Sequence, residues 1–250
     1  MKGKLFVILV LSVLATFQSC KKSPLTIGKT VTETRSLPDF KDVSLNDNVS
    51  MSLVRSDKNC IQITTGENII DNITTEVRDS VLTICNTTTF DWTLPYDYEL
   101  HATLYFKDIR NFHFASSGNL NTENQYNSND TSVRKCRVVI DGGSGDIDML
   151  VNNCRGFYLE YLYGTSHVTI HGENNRYFDI FHRSYGIMDA RNFKVDYVDI
   201  HSKATGDCYI HACDSIKAKI ENLGYIYYKG DPGNIQVTYG EFAKGKLLPL

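Results

Sequence analysis

Five consecutive segments decide the fold: GDIDMLVNNCRGFYLEYLY (145–163), GTSHVTIHGENNRYFDIFHRSY (164–185), GIMDARNFKVDYVDIHSKAT (186–205), GDCYIHACDSIKAKIENL (206–223) and GYIYYKGDPGNIQVTY (224–239). Each opens on glycine, successive glycines lie about 18 to 22 residues apart, and each segment carries two runs of alternating apolar and polar residues. A period of two marks half-buried strands, because successive side chains leave a strand on opposite faces. So short a unit cannot cover its own apolar face, and the next unit must cover it. The expectation is an all-β chain of stacked coils, a parallel β-helix or β-solenoid, with few helices.

Aligning the units places Ile147, Val168, Met188, Cys208 and Ile226 in one inward column, and Met149, Ile170, Ala190, Ile210 and Tyr228 in another. The residues between them must face outward. One outward row reads Asp148, Thr169, Asp189, Tyr209 and Tyr227; its neighbour reads Leu150, His171, Arg191, His211 and Lys229. With rungs ~4.8 Å apart, the second row would be a basic ladder bordered by carboxylates and tyrosine rings. Such a ridged face suits an extended neutral or anionic glycan, with tyrosines stacking on sugar rings and Arg191 and Lys229 meeting acidic groups. A plain solvated face, in which mixed charges and tyrosine stacks support neighbouring strands, has the same composition.

Upstream, the alternation continues through residues 40–45, 49–54, 60–64 and 81–84, bounded by Asp, Asn and Gly. Residues 66–73 read as a single helical turn or an irregular corner. Residues 87–98, with Trp92, Pro95 and little periodicity, read as a loop shielding one edge or end of the stack. A long strand follows at 98–106, with Leu100, Ala102, Leu104 and Phe106 on one face. The polar stretch 119–132 is the expected excursion from the stack. Residues 244–250 are expected beyond the last coil, Leu247 and Leu248 covering its apolar end.

The chain begins with Lys2 and Lys4, then an apolar run from Leu5 to Phe17 that is too short to span a bilayer, ending in Phe17-Gln18-Ser19-Cys20. Residues 1–19 thus read as a secretory leader. A small residue before a cysteine at this position resembles the lipobox of bacterial lipoproteins, which implies acylation of Cys20 and attachment to a membrane surface. Residues 20–30 form a flexible tether and 31–250 a single domain. In the lipoproteins it resembles, export to the outer surface tends to use an acidic run just after the cysteine; Lys21-Lys22 is basic, so the resemblance leans toward the periplasmic side of the outer membrane, the cell surface being the other possibility. The formal charge of −3 is a poor match for nucleic acid, whose binding rests on neutralising phosphates. Fifteen tyrosines against one tryptophan, in a chain 42% hydrophobic and 22% charged, suit strands with an ordinary core.

The run FKDVSLNDNVSMSLV (40–54) followed by IQITTGENIIDNITTEVRDSVLTI (61–84) resembles the opening of the head GIN domain family, whose members are named putative autotransporter adhesins. The run DARNFKVDYVDIHSKATGDCYIHACDSIKAKIENLGYIYYKGDP (189–232) resembles its closing coils. The family's Gly-Ser-Gly-Asp turn stands at 143–146 and has drifted in the other units. The resemblance implies a right-handed β-solenoid on an envelope lipoprotein, with adhesion or contact with a glycan or envelope protein as its role. It implies no established enzymatic activity and no cofactor.

Two other readings compete. Parallel β-helices also carry polysaccharide lyases and hydrolases, and Asp141, Asp146, Asp148 and Asp189 are the carboxylates such an enzyme would use. Hydrolysis needs a pair ~5 to 9.5 Å apart with one pKa raised by burial, and nothing in the pattern indicates burial. The other reading is a periplasmic structural component with no external ligand. No metal is expected: there is no HxxxH or HExxH pair on a helix, and four residues on a strand hold His167 and His171 ~13 Å apart. Beyond Cys20 lie Cys60, Cys85, Cys136, Cys154, Cys208 and Cys213. Cys136 and Cys208 have core parity, and few or no disulfides are expected.

Overall fold

The computed structural model describes residues 26–89, 91–95, 98–126 and 136–250. The leader, Cys20, most of the tether and the end of the polar stretch lie outside the described residues. Among the described residues nine strands precede residue 136: β1 (Thr30–Ser36), β2 (Asp42–Asp47), β3 (Ser50–Arg55), β4 (Cys60–Gly66), β5 (Ile73–Arg78), β6 (Val81–Asn86), β7 (His101–Phe106), β8 (Asn111–Ser116) and β9 (Leu120–Thr122). Nine follow: β10 (Cys136–Gly143), β11 (Ile147–Leu150), β12 (Gly156–Tyr163), β13 (Val168–His182), β14 (Met188–Ser202), β15 (Cys208–Ile220), β16 (Ile226–Lys229), β17 (Asn234–Tyr239) and β18 (Leu247–Pro249). Among the described residues there is no α-helix, only short 3-10 turns at Ile70–Asn72 and Asp91–Thr93. No helix among them is long and apolar enough to cross a membrane.

The molecule is therefore all-β, with one large and mostly parallel sheet. Its pairings form two series. The first runs β1–β4–β7–β3–β9–β11–β13–β14–β15–β16–β18. The second runs β5–β6–β2–β8–β10–β12–β13–β14–β15–β17. The long strands β13, β14 and β15 belong to both. Only β1–β4, β4–β7 and β5–β6 are antiparallel, all at the N-terminal end.

The register carries the first expected column; the second is in register only at Met149–Ile170 and Ile210–Tyr228, because shifts in β14 interrupt it at Ala190. Ile147 pairs with Val168, Val168 with Met188, Met188 with Cys208, Cys208 with Ile226, and Ile226 with Leu247. The first five are buried, and each contributes roughly 1.5–3 kcal/mol relative to exposure. In the second series Phe157, Phe178, Val198 and Ile216 line up in the same way, with Phe193 edge-on to Phe157 and Phe178. The C-terminal residues depart from expectation: β18 is a further parallel rung on β16, with Leu247 packed on the core.

The corner before the first series explains the glycines. Gly118, Gly145, Gly186, Gly206, Gly224 and Gly245 each stand two residues ahead of an inward residue of the paired strands. A Cβ on Gly145 would sit 1.9 Å from the Gly118 carbonyl oxygen, one on Gly206 2.1 Å from that of Gly186, and one on Gly224 2.2 Å from that of Gly206. Backbone stacks on backbone there, and a side chain has no room. In the second unit this place belongs to Ser166, fully buried, and not to Gly164. Gly164 answers a different demand, its φ of 109°.

The six described cysteines are unbridged. Cys136 and Cys208 are buried in the core as their parity requires. The Cys136 thiol donates to Cys154, which together with burial holds it protonated.

Candidate functional site

The outward row lies in unbroken register. Asp148 pairs with Thr169, Thr169 with Asp189, Asp189 with Tyr209, and Tyr209 with Tyr227, each at least partly exposed and each flanked by buried residues except at Tyr227, whose neighbour Tyr228 is only half-buried. Sheet spacing then sets the ring geometry. Tyr209 and Tyr227 stack at 5.1 Å and 15°, and Tyr225 extends the stack at 6.1 Å from Tyr227.

The neighbouring row is broken where the sequence expected a ladder. Leu150 pairs with His171, and His211 with Lys229, but His171 faces Asn192 and His211 faces Lys194. Register shifts in β14 between Asp189 and Lys194 insert extra residues and carry Arg191 out of line. Its guanidinium turns back on Asp189 at 2.5 Å and lies 4.8 Å over the Tyr209 ring. Arg191 thus joins the tyrosine row from the side. Its hydrogen bonds hold the Asp189 carboxyl below the usual carboxylate range.

The row is also less basic than its composition suggests. Burial lowers the pKa of His211, the charges of Lys229 and Lys194 add to this, and the Arg191 carbonyl, 3.1 Å from Nδ1, opposes it in part. His211 is neutral at pH 7, an Nδ1–H donor to that carbonyl. His171 Nδ1 lies 3.0 Å from Asp148 Oδ1. The fixed positive charges are Arg191, already paired, Lys229 and Lys194, which the shift brings beside His211.

Three of the four carboxylates a hydrolase would use are otherwise engaged, and the fourth, Asp141, is exposed. Asp146 Oδ1 accepts the His167 N–H at 3.3 Å, Asp148 meets His171, and Asp189 meets Arg191. A general acid needs a raised pKa, and Asp189 is shifted the other way. No cluster of three or more metal-ligating side chains occurs among the described residues.

Two features escaped the sequence reading. On the second series Tyr177 and Tyr197 stack at 5.1 Å, with Arg176 5.3 Å over Tyr177, one coil length apart like the residues already aligned. The other is a cleft of about 890 Å³ lined by Trp92, Leu94, Pro95 and Tyr98.

The family described as "Putative auto-transporter adhesin, head GIN domain" matches residues 39–232. No functionally curated protein matches. Among solved structures, a putative adhesin from Bacteroides fragilis superposes with a TM-score of 0.77 at 18% identity, over 90% of this chain and 99% of that one. A putative adhesin from Parabacteroides distasonis gives 0.57 at 19% identity, over 89% and 98%. A putative lipid binding protein from the same organism gives 0.61 at 16%, over 89% and 97%. At these identities the likeness concerns the fold.

Proposed function

Because this chain belongs to the head GIN domain family, we propose that it is an exported, non-enzymatic binding module of the adhesin type. Residues 31–250 form one right-handed β-solenoid, tethered by residues 20–30 and anchored to the outer membrane through acylated Cys20. Its role is to present a flat face to a glycan or a protein of the cell envelope. The observation that carries this reading is the row from Asp148 to Tyr227, with its stacked rings and the Arg191 guanidinium seated on Tyr209. Aromatic faces flanked by one paired arginine and one outlying lysine match sugar rings and their polar rims better than they match a reaction centre.

Protease shaving of intact cells expressing an epitope-tagged chain, with lysed cells as the control for cleavability, tests it. Release from intact cells is the result the adhesin reading requires, against the lean of the basic tether. Protection until lysis would sink the adhesin reading and turn the search to periplasmic partners.

A further inference from the structure

Cys136 and Cys154 stand at the two ends of one rung. Cys136 is the first residue of β10, Cys154 lies between β11 and β12, and β12 returns beside β10 so that Cys136 pairs with Phe157. Cys136 has the parity of the buried Val138 and Ile140, and Cys154 belongs to the same buried cluster. The corner that delivers Cys154 is held from inside. Asn153 takes a left-handed φ of 56°, and the Oδ1 of the buried Asn175 accepts the Cys154 N–H at 2.9 Å while its Nδ2 donates to the Val151 carbonyl at 2.9 Å. The two sulfurs meet in consequence. The Cys136 thiol donates to Cys154 Sγ, and the Cys154 thiol donates to the Gly156 carbonyl at 3.3 Å.

We propose that Cys136 and Cys154 are joined by a disulfide in the exported chain, closing this rung covalently. A thiol is a weak donor and a weak acceptor, so the hydrogen-bonded pair adds little, and the sulfurs need only close from contact to a bond of about 2.05 Å. The other buried thiol has a different neighbour: Cys208 Sγ lies 3.1 Å from His182 Nδ1. With 1% and 4% exposure, Cys136 and Cys154 are closed to an outside reagent in the finished fold, so the bridge forms as β10 docks. The step is thiol–disulfide exchange with a protein or small-molecule disulfide, the oxidant class of compartments outside the cytoplasm. The Cys154 thiolate attacks one sulfur of that oxidant, giving a mixed disulfide and expelling the oxidant's first thiolate. The Cys136 thiolate then attacks Cys154 Sγ and expels the second. Two protein thiols lose two electrons and two protons, and one oxidant disulfide becomes two thiols. The bridged rung includes β11, whose Asp148 begins the tyrosine row.

The full chain, reduced and unfolded in urea, is refolded in equimolar oxidised and reduced glutathione, alkylated, digested and mapped by mass spectrometry. The expected map links the Cys136 peptide to the Cys154 peptide. The melting temperature should stand at least about 4 °C above that of the chain refolded in excess dithiothreitol, a difference that Cys136→Ala/Cys154→Ala removes. Free thiols at both positions, glutathione on either one without a bridge, or either one joined to a different cysteine overturns the proposal. A melting difference that persists in the double variant overturns it too, and where that variant does not fold, the peptide map of the unaltered chain decides alone. In the cell the bridge rests on the export proposed above. Refolding supplies its own oxidant, so failure here leaves the outcome of protease shaving untouched, and protection until lysis there leaves this test untouched.

Discussion

From β10 onward each strand pairs with one roughly twenty residues ahead, whereas from β2 to β9 the neighbours arrive out of order. β2 and β3, the first parallel rung made, lie between β6 and β7 on one side and β8 and β9 on the other. The C-terminal half repeats one solution, a glycine corner on which backbone stacks directly. The N-terminal half spends its chain on closing the end. There β4 and β5 turn antiparallel, and β1, polar and half-exposed, forms the outermost edge, where alternating Thr, Glu and Arg discourage pairing with another chain. Regularity makes the C-terminal half sensitive to single atoms, and irregularity gives the N-terminal half room for a loop and a cleft.

Breaking the repeat should have the largest effect. Gly206→Val drives a branched side chain into the Gly186 carbonyl oxygen and should cost at least about 4 kcal/mol or prevent folding, as read by urea unfolding. Gly233→Ala, where an added Cβ meets nothing within 4 Å, should change stability by less than about 0.5 kcal/mol. Equal losses in the two variants would show that the corner is not what sets the packing.

His182 gives the C-terminal half a pH dependence of its own. It is fully buried, stacked on Tyr161 at 5.0 Å, with Nδ1 3.1 Å from Cys208 Sγ. Burial lowers its pKa from 6.5 to about 4, opposed in part by the Gly186 backbone. Between those values the unfolded chain binds a proton that the folded chain refuses. Stability is therefore full above pH 6.5 and falls, by about 3 kcal/mol, as the pH drops through the window toward 4. Hydrogen exchange should locate the loss in β13–β15, and His182→Phe should flatten it. A pH dependence unchanged in that variant would assign the effect elsewhere.

The N-terminal closure is sharpened by Arg35. Its guanidinium donates to the Ile70 carbonyl at 3.1 Å and to the Ile73 carbonyl, tying β1 to the start of β5, while Glu33 pairs with it at 2.8 Å. Arg35→Ala should cost about 2 kcal/mol, with faster amide exchange confined to β1 and β4. The smallest effect belongs to the exposed face: Arg191→Ala/Lys229→Ala should leave the melting temperature within a few degrees, since exposed pairs contribute about 0–1 kcal/mol. A larger fall would make the tyrosine row a structural brace rather than a contact surface.

These differences also mark what could be read from the residues. Alternation exposed the inward columns of the C-terminal coils, because Ile147, Val168, Met188, Cys208 and Ile226 repeat a buried parity that any stacking must respect. It showed that β2, β3, β7 and β8 each have an apolar face, but parity does not tell a strand which neighbour it takes. The insertion of β2 and β3 between later strands was therefore invisible. Gly164 drew the eye as a corner because glycine is conspicuous, while Ser166, which holds the corner, looks like any loop serine. Arg191 lost its place in the ladder because a bulge leaves no mark on the alternation of a strand. Residues 87–98 read as a loop, and that Trp92, Leu94, Pro95 and Tyr98 line a cleft depended on strands distant in sequence.

The placing of β2 and β3 between later neighbours bears on how the chain acquires its structure. Each C-terminal rung closes on one already made, so that part can zip up as it emerges. The first parallel rung must wait for neighbours on one edge until residue 106 and on the other until residue 122, because β6, β7, β8 and β9 all come after it. Its contacts are also the more distant ones in sequence, which makes this end the slower to form. A chain delivered N-terminus first thus exposes its hardest assembly earliest, and the coils that follow have a finished template to grow on only once that assembly is complete.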